Sequence, residues 1–414
     1  MQSQHSVAVI GAGIIGAGIA CALARDGHRV VLIDRAAPGT GGASFGNAGH
    51  IAAELVEPLP SPSLLFGFWR ELTAFGGPLE MPLRRLPALL PWSARFVVSA
   101  FRRERNTRHL APIVRPSVDA LERLLASIGR RELLKRHGHY EVWLGDTGAK
   151  RAQAQADGMR ALGIPTEAAP AELLAAVRAS AKARGAAGLW FPGCAHVVDP
   201  LEVVRAFAAA AEGRGATILQ REVRALHRSA GGIEVETSEE RIPVRTAIVC
   251  CGVWSAALLR PFGVKVPLEA ARGYHVEIPL HPPLVDAPIL YSDERVLVTP
   301  MAGRLRASSF MEFRKPDAPP DERKPARLRH VLAALGYASG DARTSWVGSR
   351  PVLPDYLPAI GRLRGVPGLL YAFGHQHIGL TLSAVTAELM AALVAEREPP
   401  QDIAPFAIER FSRM

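Results

Sequence analysis

Cysteine is scarce in this sequence. Its 414 residues hold four, Cys21, Cys194, Cys250 and Cys251, two of them chain neighbours and none in a CxxC pair. That excludes a disulfide framework, and a reduced, cytoplasmic setting is expected. Long apolar runs are also missing. Gly11, Gly13, Gly16 and Gly18 interrupt the apolar N-terminus, and no basic segment precedes it, which argues against a signal peptide. No stretch reaches the length of a spanning helix. Acidic residues are outnumbered, 39 against 49 basic, for a formal charge of +10. The excess favours an anionic partner: a phosphorylated cofactor, an acidic substrate or an anionic membrane surface. Aromatics make up 6% of the chain and do not interleave with a basic run, so nucleic acid is not expected. There is no internal repeat and no long low-complexity tract.

What is present is a chain too long for one ordinary core, with the hydrophobic share of a globular protein. The segment VAVIG reads as a strand, IGAGIACALARDG as a helix and RVVLIDR as a second strand. Similar alternation returns in LEVVRAFAAAAEGRG, RTAIVCCGVWS and GLLYAFGHQHIGLT, with a final helix expected from about Leu380 to Glu396. Strand–helix alternation is thus confined to residues 1–57, 198–262 and 347–414. The blocks 58–197 and 263–346 have an antiparallel texture with Gly, Pro and Asp punctuation. The expected fold is α/β: a discontinuous Rossmann-like dinucleotide-binding domain with an inserted α+β domain on a mixed or antiparallel sheet. Residues 58 to about 105 are rich in Pro, Leu, Trp, Phe and Arg. They read either as helices capping the inserted domain or as an amphipathic membrane-facing surface.

Gly11, Gly13 and Gly16 form GxGxxG after an apolar strand and at the opening of a helix. This is the arrangement that brings backbone N–H groups and the helix N-terminus to a pyrophosphate. Asp34 ends the second strand, where its carboxylate accepts from ribose hydroxyls and repels a 2′-phosphate. Ile14, Ile15 and Arg35 flank these positions. NAD and FAD share the fingerprint. Further glycine-rich turns at Gly41–Gly49, Cys251–Gly252 and Gly374–Gly379 favour the longer FAD, which needs several close backbone approaches.

Five segments resemble the D-amino-acid oxidase/dehydrogenase superfamily of FAD enzymes, nearest to bacterial D-amino-acid dehydrogenases. They are ASFGNAGHI, HVVDPLEVVRAFAAAAEGRGATI, CCGVWS, VGSRPVLPDYLPAIG and GHQHIGLT. The resemblance spans essentially the whole chain. It implies that Ser44 lies near the pyrophosphate and that Asn47, Ala48, Gly49 and His50 line the flavin. Val223 would meet the adenine, and Cys251, Gly252 and Trp254 would form the phosphate-side turn. Gly374, His375, His377, Gly379, Leu380 and Thr381 would wrap the pyrimidine edge, with a helix opening at Leu380–Thr381. FAD is expected to be non-covalent.

Arg350 in GSRP corresponds to the family's substrate-carboxylate arginine, a task suited to its planar, bidentate fork. His50, Tyr274, Tyr291 and His377 are further substrate-contact candidates, and Glu57 is a weaker one. The sequence departs from the closest dehydrogenase pattern at His50 and Tyr274. The pairs His137/His139 and His375/His377 form H-x-H, but no Cys, Asp or Glu stands at suitable spacing, so no metal is expected. The implied reaction is dehydrogenation of a small D-amino acid or a D-proline derivative, with the Cα hydride passing to flavin N5 and no compulsory side-chain base. Electrons would leave to a quinone of the respiratory chain or to O2. A glycine- or sarcosine-oxidase-type enzyme and a non-catalytic FAD-binding subunit are the alternatives. The expected location is the cytoplasm, with peripheral contact on the inner face of the cell membrane left open.

Overall fold

The computed structural model describes residues 6–279, 286–337 and 344–412. The chain opens with β1 (Val7–Ile10), α1 (Ile14–Arg25) and β2 (Val30–Asp34). Among the described residues, these strands belong to a six-stranded sheet. Its order is Thr217–Gln220, β2, β1, Thr246–Val249, Leu369–Phe373, Ala359–Arg362. The first five run parallel and the last is antiparallel.

Alternation along β1 explains why its sequence is apolar without a break. Val7 and Val9 face a core shared with α1, Pro200–Glu212 and Ser383–Val394, while Ala8 and Ile10 face a second core. That second core is covered by the antiparallel sheet of Val223–Ser229, Gly232–Thr237 and Arg241–Val244. A strand buried on both faces has no polar face to show. The helix Pro200–Glu212 starts where the DP dipeptide places it. The Asp199 side chain accepts from Leu201 N at 2.8 Å, and Pro200 occupies the first turn.

A second, largely antiparallel sheet carries Thr344–Val352, Glu269–Pro279, Arg304–Phe313, Val296–Met301, Ile289–Tyr291, His139–Leu144, Ala186–Phe191 and Glu167–Ala168. Its one break in direction along this path is the parallel pairing of Ile289–Tyr291 with His139–Leu144. A small sheet joins His50–Ile51, Ala195–Val197 and Leu134–Lys135.

Two expectations need correction. The block boundary drawn before residue 347 cuts through the strand Thr344–Val352, which pairs with Glu269–Pro279 in register Arg350↔Ala271. Arg350 therefore stands on the second sheet. The final helix begins at Ser383, not at Leu380. Gly379 to Leu382 form a turn, and the Thr381 hydroxyl accepts from Ala52 N at 3.0 Å.

Candidate active site

One cavity of about 980 Å³ runs along the carboxyl edge of the parallel strands and under the second sheet. Gly11 follows β1, Asp34 ends β2, Cys250–Gly252 follow Thr246–Val249, and Gly374 follows Leu369–Phe373; all of these line it. That edge is where open parallel sheets bind ligands. Gly11 has φ +107, and a Cβ on Gly16 would lie 1.8 Å from Gly11 O, so the turn tolerates no side chain at Gly16. Ser44 Oγ accepts from Ile14 N at 2.9 Å, pinning the following loop beside the α1 N-terminus. Asp34 accepts from Ala12 N at 2.7 Å and Ala36 N at 3.0 Å, which fixes its carboxylate at the cavity. The Arg35 guanidinium lies 4.2 Å over the Trp254 ring.

Ile14, Ile15, Asn47, Ala48, His50, Val223, Cys251, Gly252, Trp254, Gly374, His375, His377, Gly379 and Leu380 also line the cavity. Gly16, Gly49 and Thr381 do not. They hold its frame, Gly49 N donating to Asn47 Oδ1 at 2.8 Å. The 45–47 loop is gripped from the second sheet: Arg306 Nη1 donates to Asn47 O at 2.5 Å, and its other nitrogens bind Glu277. Burial opposes ionisation of Glu277, but Arg304 and Arg306 outweigh it and hold its carboxyl near 2.

At the other end stands Arg350. Its guanidinium is surrounded by protein but keeps a face open to the cavity, and Nη1 donates to Phe310 O at 2.9 Å. Among the described residues no carboxylate pairs with it. Gly273 makes its space, since a Cβ there would come 2.1 Å from Nη2. Phe310, Tyr356 and Gln376 around it have φ of +72, +57 and +52, strain of a kind that collects at functional sites. His375 is buried, with its pKa lowered to about 3, and Nε2 shares a hydrogen with Thr386 Oγ1 at 3.0 Å. His377 is exposed at the cavity, and the protein around it and then Arg350 lower its pKa. Both are neutral near pH 7.

Three candidates do not meet the cavity as expected. Tyr291 is packed in the second sheet's core with its hydroxyl 2.9 Å from Tyr337 Oη, outside the cavity wall. The Tyr274 ring lines the wall, but its hydroxyl accepts from Arg272 Nη2 and Asp321 N and donates to Glu312 Oε2. A hydroxyl so committed has no hydrogen left for a substrate. Glu57 is taken by Arg103 at 2.7 Å. Conversely, Trp346, Phe310, Gln376, His139 and Glu54 line the cavity without having been expected there. Gln376 sits inside GHQHIGLT, whose glycines and histidines drew the attention, while the other four come from segments far apart in the chain that only the fold brings together.

A glycine turn that excludes side chains, a fixed carboxylate after the second strand and a long cavity ending at an arginine with no carboxylate partner among the described residues together suit a dinucleotide. Residues 6–393 match the family described as FAD dependent oxidoreductase. The chain is 30% identical to a D-amino-acid oxidase of Bradyrhizobium diazoefficiens, over 99% of this chain and 100% of that protein. It is also 30% identical to D-amino acid dehydrogenase 2 of Ralstonia nicotianae, over 98% and 100%. Among solved structures, glycine oxidase from Geobacillus kaustophilus superposes with a TM-score of 0.76 at 22% identity, covering 98% of this chain and 99% of that one. The chain belongs to the FAD-dependent oxidoreductase family that includes the D-amino-acid oxidases and dehydrogenases, and FAD is its cofactor.

Proposed function

We propose that the protein dehydrogenates a small D-amino acid or a D-proline derivative, with Arg350 holding the substrate carboxylate. The observation that carries this reading is the Arg350 guanidinium, unpaired by any carboxylate among the described residues and open to the cavity. The D configuration is supported by the names of the two sequence relatives. FAD, when bound, supplies the hydride acceptor at flavin N5.

The chain supplies binding, orientation and charge. Gly11, Gly13, Ile14 and Ile15 would hold the pyrophosphate with Ser44 beside it, on the turn that Gly16 permits. Asp34 and Arg35 take the adjoining ribose, and Val223 the adenine. Cys251, Gly252 and Trp254 would close the phosphate side, while Asn47, Ala48, His50, Gly374, His375, His377, Gly379 and Leu380 would line the flavin ring, in the frame that Gly49 and Thr381 hold. Arg350, anchored by Phe310 O, presents its remaining N–H groups as a fork to the carboxylate, which fixes Cα. His377 stays neutral beside it and does not compete for the carboxylate. The substrate amine is bound without its extra proton, so no side-chain base is required.

The acceptor is proposed to be a membrane quinone. In support, helix Pro62–Glu71 buries none of its residues, and Phe66 and Leu83 are 83% and 82% exposed. Leu90 and Phe101 follow on the next helix and its end, with exposed Arg70 and Arg84 nearby in sequence. Apolar anchors with arginines suit an anionic lipid surface. No described helix is long and apolar enough to cross a membrane.

The test is a dye-reduction screen over D- and L-amino acids, both hydroxyproline epimers, sarcosine and glycine, with peroxide measured under air. Dye reduction by D substrates without peroxide is expected. Reduction by L substrates alone would contradict the substrate, and peroxide matching turnover would make the enzyme an oxidase.

A further inference from the structure

We infer that His50, Glu54, His139 and Cys194 bind one zinc-type divalent ion between the flavin-side loop and the second sheet. The ligands come from three separate segments. His50 opens the short strand His50–Ile51 and Glu54 follows four residues later. His139 begins the strand His139–Leu144, and Cys194 precedes Ala195–Val197. The fold brings one ligand atom from each to within 4.8 Å of all the others. His50 Nε2 and His139 Nδ1 stand 3.8 and 3.9 Å from the same oxygen, Glu54 Oε1. Those separations exceed a hydrogen bond. They match the edges of a tetrahedron whose bonds to nitrogen and oxygen are about 2.0–2.2 Å, edges of roughly 3.3–3.6 Å, within a few tenths of an ångström. The Cys194 Sγ–Glu54 Oε2 contact, 2.8 Å, has to open for both to coordinate.

A second, independent observation points to an occupant. Both imidazole nitrogens are buried and have no hydrogen-bond partner. The His50 and His139 side chains are only 9% and 2% exposed. Buried polar atoms are normally paired, and two orphans aimed at one carboxylate need an explanation. No Lys or Arg among the described residues pairs with Glu54, and a divalent ion would supply it with a cationic partner. A thiolate, two imidazoles and one carboxylate select zinc or a similar transition ion over magnesium or calcium. Four protein ligands close the coordination shell, as in structural sites. The ion's role would be to fix the His50–Glu54 loop, part of the cavity wall, against the sheet. Spacing in the sequence could not reveal it, because the H-x-H pair His137/His139 contributes only one member. The inference is independent of which substrate is oxidised.

The experiment uses the FAD-loaded enzyme purified without chelator or affinity metal. Elemental analysis should find about one zinc per chain, or the protein should take up about one on titration with zinc chloride. Cobalt in its place should show thiolate charge-transfer and d–d bands outside the flavin spectrum. Cys194→Ser and His139→Ala, checked for retained flavin absorbance and near-UV circular dichroism, should each lower zinc affinity at least tenfold. Should one variant fail to fold, cobalt spectra of the wild type with and without thiol alkylation give the same answer. Metal-free enzyme that takes up no zinc overturns the inference, as does zinc binding that neither variant nor alkylation weakens.

Discussion

The two ends of the cavity are built on different principles. The phosphate end, Gly11 to Asp34, is one contiguous strand–helix–strand unit, and its work falls to backbone N–H groups and a carboxylate already tied to Ala12 and Ala36. The arginine end is assembled from strands remote in sequence, by side chains held at strained or buried positions. Arg350 needs Gly273 for space and Phe310 O as an anchor, 77 and 40 residues away in number (350 − 273 and 350 − 310). A backbone cradle can be lost only by obstructing it. A side-chain site can be lost while the cradle stays intact.

Obstruction should give the largest effect. Gly16→Val forces a side chain into Gly11 O, and the protein should purify without bound flavin, or unfolded, as read from its absorbance at the flavin bands. Retention of FAD at wild-type stoichiometry would break the distinction. Next comes the buried support behind Tyr274. Arg272 and Glu312 are both 0% exposed and 2.8 Å apart, with Lys324 on the other Glu312 oxygen at 2.9 Å. Glu312→Ala leaves the buried Arg272 without a carboxylate, while Lys324 keeps Glu80 and Asp321, and should cost about 3–5 kcal/mol by denaturant unfolding.

Acid should act at the side-chain end. His275 and His375 are buried, with pKa values lowered to about 4 and about 3 by burial, and by Arg306 as well for His275. Their ordinary value is 6.5, so between pH 6.5 and about 4 the unfolded chain binds protons that the folded chain refuses. Stability is full above pH 6.5 and should fall steadily below it, read as a decline in Tm. His375→Asn should flatten that slope; an unchanged slope would show that this histidine is not part of the cause. The smallest effect is expected far from both ends. Phe66→Ser with Leu83→Ser should reduce sedimentation with anionic vesicles while leaving dye-linked kcat/KM for free substrate unchanged, and the wild-type binding should weaken with salt.

The same contrast governs what was legible in the sequence. The phosphate end was readable because its physics is local: an unbroken apolar strand, a glycine turn, a helix and a terminal acid within 28 residues, from Val7 to Asp34. Arg350 was readable only through its motif. Nothing in GSRP discloses that it sits on a strand of the second sheet. The hydroxyls of Tyr274 and Tyr291 could not be placed from the sequence because their availability depends on partners distant in the chain, Glu312 on the neighbouring strand in one case and Tyr337 beyond a helix in the other. The helix after GHQHIGLT was started too early because Thr381 spends its hydroxyl on Ala52 and not on a cap. The histidine–glutamate–cysteine cluster was invisible because His50 and Glu54 meet His139 and Cys194 only through the fold.

The most direct measurement is kcat/KM for Arg350→Ala and Arg350→Lys at matched flavin occupancy. Losing a charge-assisted bidentate contact worth roughly 3–6 kcal/mol should lower kcat/KM by about 10²–10⁴-fold in the alanine variant. Lysine, a point charge without the fork, should recover only part of it. FAD content should be unchanged in both. Near-normal kcat/KM in Arg350→Ala with FAD retained would contradict the account.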